Sequence, residues 1–226
     1  MSVEIISKAS LDFLKKLAKN NNREWFTTNK EAFKGHEADV KAFYNAVMQR
    51  LNQHDQIEKL KVFRIYRDVR FSKDKTPYKA HFAGFFSRMG LERRGGYYLR
   101  IKPGETFMAA GFWDPNKEDL MRIRKELELD ASEFRAILED SEFKKVWGML
   151  QGDALKTAPK GFDKEHKDID LIRHKQFIFT KIFTDKEVLS KDFINQVDHS
   201  FQAIRPYFDL MSSILTTNLN GESLIA

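Results

Sequence analysis

Cysteine is absent from the 226-residue chain, which excludes disulfides, thiolate metal sites and a cysteine nucleophile. No uninterrupted apolar run approaches the length that spans a bilayer. The opening MSVEIISKASLDFLKK has no long apolar core and is interrupted by Glu4, Lys8 and Asp12. It reads as helix rather than signal peptide, so the expected compartment is the cytoplasm. There is no internal repeat and no low-complexity linker. GxSxG, GxGxxG and GxxxxGK[ST] strings are missing too, and no pair of carboxylates stands out as a glycosidase pair. The six histidines are scattered at positions 36, 54, 81, 166, 174 and 199. None falls in an HExxH-like pair, so neither a metal nor another cofactor is expected. His81 and His166 remain as candidates for acid–base work.

What is present is an ordinary globular balance, 42% hydrophobic and 32% charged, with twenty phenylalanines to fill a core. The length fits one large domain, and residues 1–226 are read as a single α+β domain. Leu11, Leu14 and Leu17 place a helix over 10–19 with Ser10 as its cap, stopped by Asn20–Asn22. A longer helix over about 23–51 contains Gly35, where a break is expected. Alternation of period two then takes over. In residues 62–71, Phe63, Ile65, Arg67, Val69 and Phe71 share one face, while Arg64, Tyr66, Asp68 and Arg70 share the other. Strand-like runs follow at about 80–87, 96–102 and 106–113, joined by short loops that suggest an antiparallel meander. Asp114-Pro115 opens a helix from about Asn116 to Leu127 with Asp114 as its cap, and another helical stretch covers about 131–150. A loop spans 152–167, and a fifth strand lies near 176–183. The last helix, about 190–217, must break near Ile204 because of Pro206. The expected fold is a mainly antiparallel sheet packed against N- and C-terminal helices.

The charge is uneven. Of the formal +6, +4 lies between Arg64 and His81 and +2 in all the rest. The expected ligand-binding set is Arg64, Tyr66, Arg67, Asp68, Arg70, Lys73, Lys75, Tyr78, Lys79 and His81. Arginine's planar fork takes carboxylate or phosphate in bidentate fashion, and the loop lysines act as point charges. Against this stands a solvated face whose Arg–Asp pairs satisfy one another. Arg67 is in register with core residues. It needs either a partner in a core carboxylate or a helix C-terminus, or a bulge near Asp68 that turns it into the site. Lys75 or Lys79, beside arginines, could have a lowered pKa and serve as base or nucleophile. A second basic segment, with Lys160, His166, Arg173 and Lys175, is either a charged surface loop or a lid.

Asn22-Arg23-Glu24-Trp25-Phe26, the string Tyr66–Lys75, Pro77-Tyr78-Lys79, Ala158–Phe162 and Arg173-His174-Lys175 together resemble a bacterial and fungal family, domain of unknown function 2461. The resemblance covers nearly the whole chain. It implies a single domain and brings no activity, cofactor or catalytic residue with it. Three readings follow. One is a binding protein or enzyme for a small anionic ligand, phosphorylated ligands included. Another is a nucleic-acid binder using the basic, tyrosine-bearing sheet face. The third is a non-catalytic domain that meets an acidic protein. No membrane partner is expected, and the residues give no oligomeric state.

Overall fold

The computed structural model describes residues 4–225. Its elements run α1 (Lys8–Lys19), α2 (Arg23–Thr28), α3 (Lys30–Leu51), β1 (Ile57–Val62), β2 (Phe82–Arg88), β3 (Gly96–Ile101) and β4 (Thr106–Phe112). Next come α4 (Lys117–Leu129), α5 (Ser132–Glu139), α6 (Ser141–Trp147), α7 (Ile169–Ile172), β5 (Phe177–Phe183), α8 (Asp185–Val188), α9 (Phe193–Ala203) and α10 (Arg205–Thr216). The strands form one antiparallel sheet in the order β1-β2-β3-β4-β5, so the fold is α+β.

The chain divides into two compact units. The first holds Met1–Phe86, Tyr98–Met108 and Ile182–His199. Here α3 lies on one face of the sheet. Gly84 makes that close approach possible, since a Cβ there would sit 3.3 Å from the Tyr44 ring. The Tyr44 hydroxyl then donates to the Leu99 carbonyl at 3.3 Å, which satisfies the one polar atom of a fully buried ring. Phe33 stacks on Phe82, and Phe43 on Phe193. The second unit holds Ser87–Tyr97, Ala109–Lys181 and Ser200–Ala226. Its centre is Tyr207, ringed by Phe134, Phe143 and Phe179 and hydrogen-bonded to the Phe177 carbonyl at 2.9 Å. Each such aromatic, fully buried, stabilises by roughly 1.5–3 kcal/mol.

Several local expectations are revised. α1 is capped by Ser7, whose side chain accepts from the Ser10 amide, and Ser10 itself is buried inside the helix. The long helix breaks at Asn29, not Gly35, which sits in an unbroken α3 with open space around its Cα. Asn116, not Asp114, caps α4. The 131–150 stretch is two helices parted at Asp140, whose carboxylate caps the second. The expected break at Ile204 is present, with Pro206 in the first turn of α10, where its missing N–H costs nothing.

The largest revision concerns residues 62–71, which do not form a regular strand. β1 ends at Val62, and the chain beyond it pairs with the segment leading into β2 through separate rungs. Phe63 N–H donates to Ala83, Lys79 N–H to Ile65, and Arg67 N–H to Pro77, with a bridge between Tyr66 and Tyr78. From the first rung to the second, one side advances from 63 to 65 while the other retreats from 83 to 79. Ala80 and His81 are therefore the extra residues of a bulge. At the far end Pro77 has no N–H to continue the ladder. β1 was missed by its composition: Glu58, Lys59 and Lys61 are exposed on an edge strand, where charge guards against further pairing.

Candidate functional site

The basic stretch lies wholly within the first unit, and it separates into two parts. The first is the loop after the Arg67–Pro77 rung. Arg67 does not reach a core carboxylate. Its guanidinium turns back over its own loop and donates to Asp74, to the Thr76 hydroxyl and, at 3.4 Å, to the Ser72 hydroxyl. Asp74 also accepts the Thr76 amide at 2.9 Å. That amide bond, followed by the Arg67 and Thr76 side chains, lowers the Asp74 pKa to about 2. Asp68 takes Arg70 in a fork, with Nε–Oδ1 at 3.0 Å and Nη2–Oδ2 at 2.7 Å. These bonds hold the Asp68 carboxyl below its usual range. Lys75 Nζ donates to the Val69 and Arg70 carbonyls at 2.9 and 3.4 Å. Three of the expected anion-binding cations are thus occupied in shaping the loop. Its tip presents Phe71, 97% exposed although strand register had assigned it to the core.

Tyr78 is also structural. Its ring stacks on Phe26 at 3.9 Å, and its backbone N–H and carbonyl both bond to the Asn21 side chain. Tyr66, opposite it, is 47% exposed.

The second part is the sheet face turned away from α3. β4 alternates strictly, with Thr106, Met108, Ala110 and Phe112 buried and Phe107 half-exposed. On β3, Tyr97, Leu99 and Ile101 are buried, which leaves Tyr98 and Arg100 on the other face. Across this face Phe63, Tyr98 and Phe107 form a row, with ring centroids 6.1 and 5.5 Å apart. Ala83, whose carbonyl accepts from Phe63 N–H, is buried at 2% exposure. The rings carry cations. Lys61 and Lys79 Nζ lie 5.2 and 5.7 Å from the Phe63 centroid, and the Arg100 guanidinium lies 4.3 Å from that of Phe107. Such placement is favourable by about 0.5–2 kcal/mol per pair, depending on desolvation.

The bulge directs His81 into this group. Burial first, then the charges of Arg100, Lys79 and Lys102, push its pKa down to about 4, with Glu105 alone opposing. His81 is therefore neutral at pH 7. Lys79 is pushed down as well, by burial and then by Arg64. Glu105 serves both Lys102, at 2.5 Å, and Arg100, at 3.5 Å, and its carbonyl accepts from Arg100 at 3.1 Å. The buried Arg100 Nε has no hydrogen-bond partner among the described residues. Nor do the side chains of Arg64, Lys73, Lys79 or His81 have a hydrogen bond or ion pair there, although Arg64 and Lys73 are simply exposed.

Of the ten expected residues, Lys79 and His81 join this cluster, and Arg64 is within electrostatic reach of Lys79. Arg67, Asp68, Arg70, Lys75 and Tyr78 build the loop and its base. Arg100, Lys102, Tyr98 and Phe107 were missed, although GYYLRIK already showed the parity that sets Tyr98, Arg100 and Lys102 opposite Tyr97, Leu99 and Ile101. The second basic segment belongs to the other unit, where Lys125 covers the Phe162 ring at 4.7 Å and Arg173 donates to the Lys156 carbonyl at 3.3 Å. Among the described residues no helix is long and apolar enough to cross a membrane. No group of three or more His, Asp or Glu side chains there is placed to hold a metal ion.

An α+β protein built on one antiparallel sheet is the class these features define. The chain belongs to the conserved hypothetical protein family (DUF2461), whose model matches residues 9–210. No curated protein and no solved structure matches it.

Proposed function

We propose that the chain binds a small anionic group, such as the phosphate of a ligand, at the cluster of Lys79, His81, Arg100 and Lys102. The observation that carries this reading is an imbalance of charge. Three cations surround His81 with one carboxylate between them, and the buried Nε–H of Arg100 lacks an acceptor. A buried donor without a partner costs about 1–3 kcal/mol, which an anionic oxygen would recover. Neutral His81 adds one further N–H donor without adding charge. Arg100 supplies a planar fork held by Phe107, while Lys79 and Lys102 supply point charges. The reading concerns the sheet face alone, because Arg67, Arg70 and Lys75 of the loop already have partners.

Calorimetric titration with inorganic pyrophosphate tests it. Wild-type protein is expected to bind, and Lys79→Ala and Arg100→Gln are each expected to weaken binding about tenfold or more, as loss of a charge-assisted bond requires. Equal affinity in all three proteins would remove the proposal.

A further inference from the structure

Phe71 is the most exposed large apolar side chain among the described residues, and side-chain bonds run across its loop. The Arg67 guanidinium, the Asp68–Arg70 fork and the Lys75 ammonium fix the backbone on both sides of it. A chain that uses three cations and two carboxylates to hold one phenyl ring in water is presenting that ring to something. The surroundings narrow the occupant. Lys73 and Lys75 flank the ring and are exposed, and they are the charge left over once Arg70 is paired with Asp68 and Arg67 with Asp74. The partner must therefore be negatively charged and also offer a flat apolar face.

We infer that the anion site takes single-stranded nucleic acid, with Phe71 stacking on an unpaired base and the outer-face cations holding the phosphates. The inference rests on the proposed anion site and specifies its ligand class. Proteins that bind single strands without sequence preference combine a cationic surface with aromatic side chains, since every base has a π-face. Both elements are here, and the backbone connects them. The rungs at Arg67–Pro77, Ile65–Lys79 and Phe63–Ala83 lead from the loop back to the cluster. Phe71 is eight residues from Phe63 along the chain, a reach of at most about 29 Å, which is a span of several nucleotides. On the sheet face the rings already carry Lys61, Lys79 and Arg100, so that region is suited to phosphates. Phe71 is covered only by the Arg70 guanidinium, 6.0 Å from its centroid, and is the ring left for a base. A duplex keeps its bases stacked on one another and offers no such face.

The test uses the full chain and a fluorescein-labelled oligothymidylate of about 12 nucleotides, within the usual site size of such surfaces. Anisotropy is expected to report binding whose log affinity falls linearly and steeply with log salt, as counterion release from several phosphates requires. Phe71→Ala should weaken oligonucleotide binding about tenfold, the loss expected of one stacked base, and leave pyrophosphate affinity unchanged. Phe71→Trp should retain binding, with its indole emission quenched by the strand. If Phe71→Ala binds the strand as wild type does, the inference fails. It fails equally if a duplex of the same length, or vesicles of anionic lipid, bind more tightly than the strand. Pyrophosphate binding without oligonucleotide binding overturns this inference and leaves the anion site standing, whereas loss of both removes the two together.

Discussion

The Arg67–Thr76 loop and the His81 face carry similar numbers of cations, and the two regions use them differently. In the loop every arginine has a carboxylate, and Lys75 has two carbonyls. On the face, Glu105 is shared by Arg100 and Lys102, while Lys79 has a phenyl ring and no acid. A count of charge along the chain treats the two alike. What separates them is the inventory of acceptors. Cations that meet their partners within one loop stabilise a shape. Cations gathered by the sheet from distant positions, with fewer acids than they need, are the ones proposed to hold a ligand.

The largest expected difference between the regions is in binding. Removing both Lys79 and Arg100 as alanines should reduce pyrophosphate affinity by about a hundredfold, two charge-assisted contacts at roughly 1.4 kcal/mol each. Lys75→Ala should change affinity less than about twofold, because its ammonium is used by carbonyls. Calorimetry on the two variants compares the regions directly, and a reversal of the order would break the distinction.

Next is stability. Arg67→Ala strips Asp74, Thr76 and Ser72 of one shared donor and should cost about 1–2 kcal/mol in urea denaturation. The damage should be local. Tryptic cleavage after Lys73 or Lys75 is expected to accelerate about tenfold, the factor that 1.4 kcal/mol of easier local opening provides. A variant as resistant as wild type would mean that the loop is held by something else.

The two regions also differ in pH dependence. Asp74 has a folded pKa of about 2, below its ordinary value of 3.8. Its contribution is therefore fully present above about pH 4 and is lost as pH falls toward about 2. The Thr76 amide resonance should move over that range, and Asp74→Asn should abolish the movement. His81 is also depressed, from 6.5 to about 4. In that interval the unfolded chain binds the extra proton, so stability should rise with pH between about 4 and 6.5. His81→Gln should flatten the rise, measured as the urea midpoint against pH. The smallest effect expected is that of Asp68→Asn. Exposed pairs contribute little, so its urea midpoint should match that of wild type, with oligonucleotide affinity rising slightly as Arg70 is released.

Much of the fold was legible because periodicity reports which side of an element is buried. The alternation in 96–102 and 106–113 is of that kind, and both strands appear where it placed them, as does the break that Pro206 imposes through its missing N–H. The basic stretch was legible as a concentration of charge, but the roles of its members were not. Arg67 looked buried by register, yet register stops applying at the Ala80–His81 bulge and at Pro77, neither of which leaves a periodic trace. Phe71 was placed in the core by the same extrapolation. Arg100 and Lys102 were overlooked because each sits alone among apolar neighbours in sequence. Only the sheet's pairing brings them to His81, about 20 residues upstream.

The central claim, that the His81 face is a cationic site awaiting an anion, is tested most directly by the titration of His81 itself. Its ring Cε1–H resonance, followed by NMR and assigned by loss in His81→Gln, should titrate near pH 4 in the free protein. Saturating pyrophosphate should screen Arg100, Lys79 and Lys102 and raise that pKa toward or above the ordinary value of about 6.5. A His81 that titrates near 6.5 without ligand, or one whose low pKa is unmoved by pyrophosphate, would contradict the account.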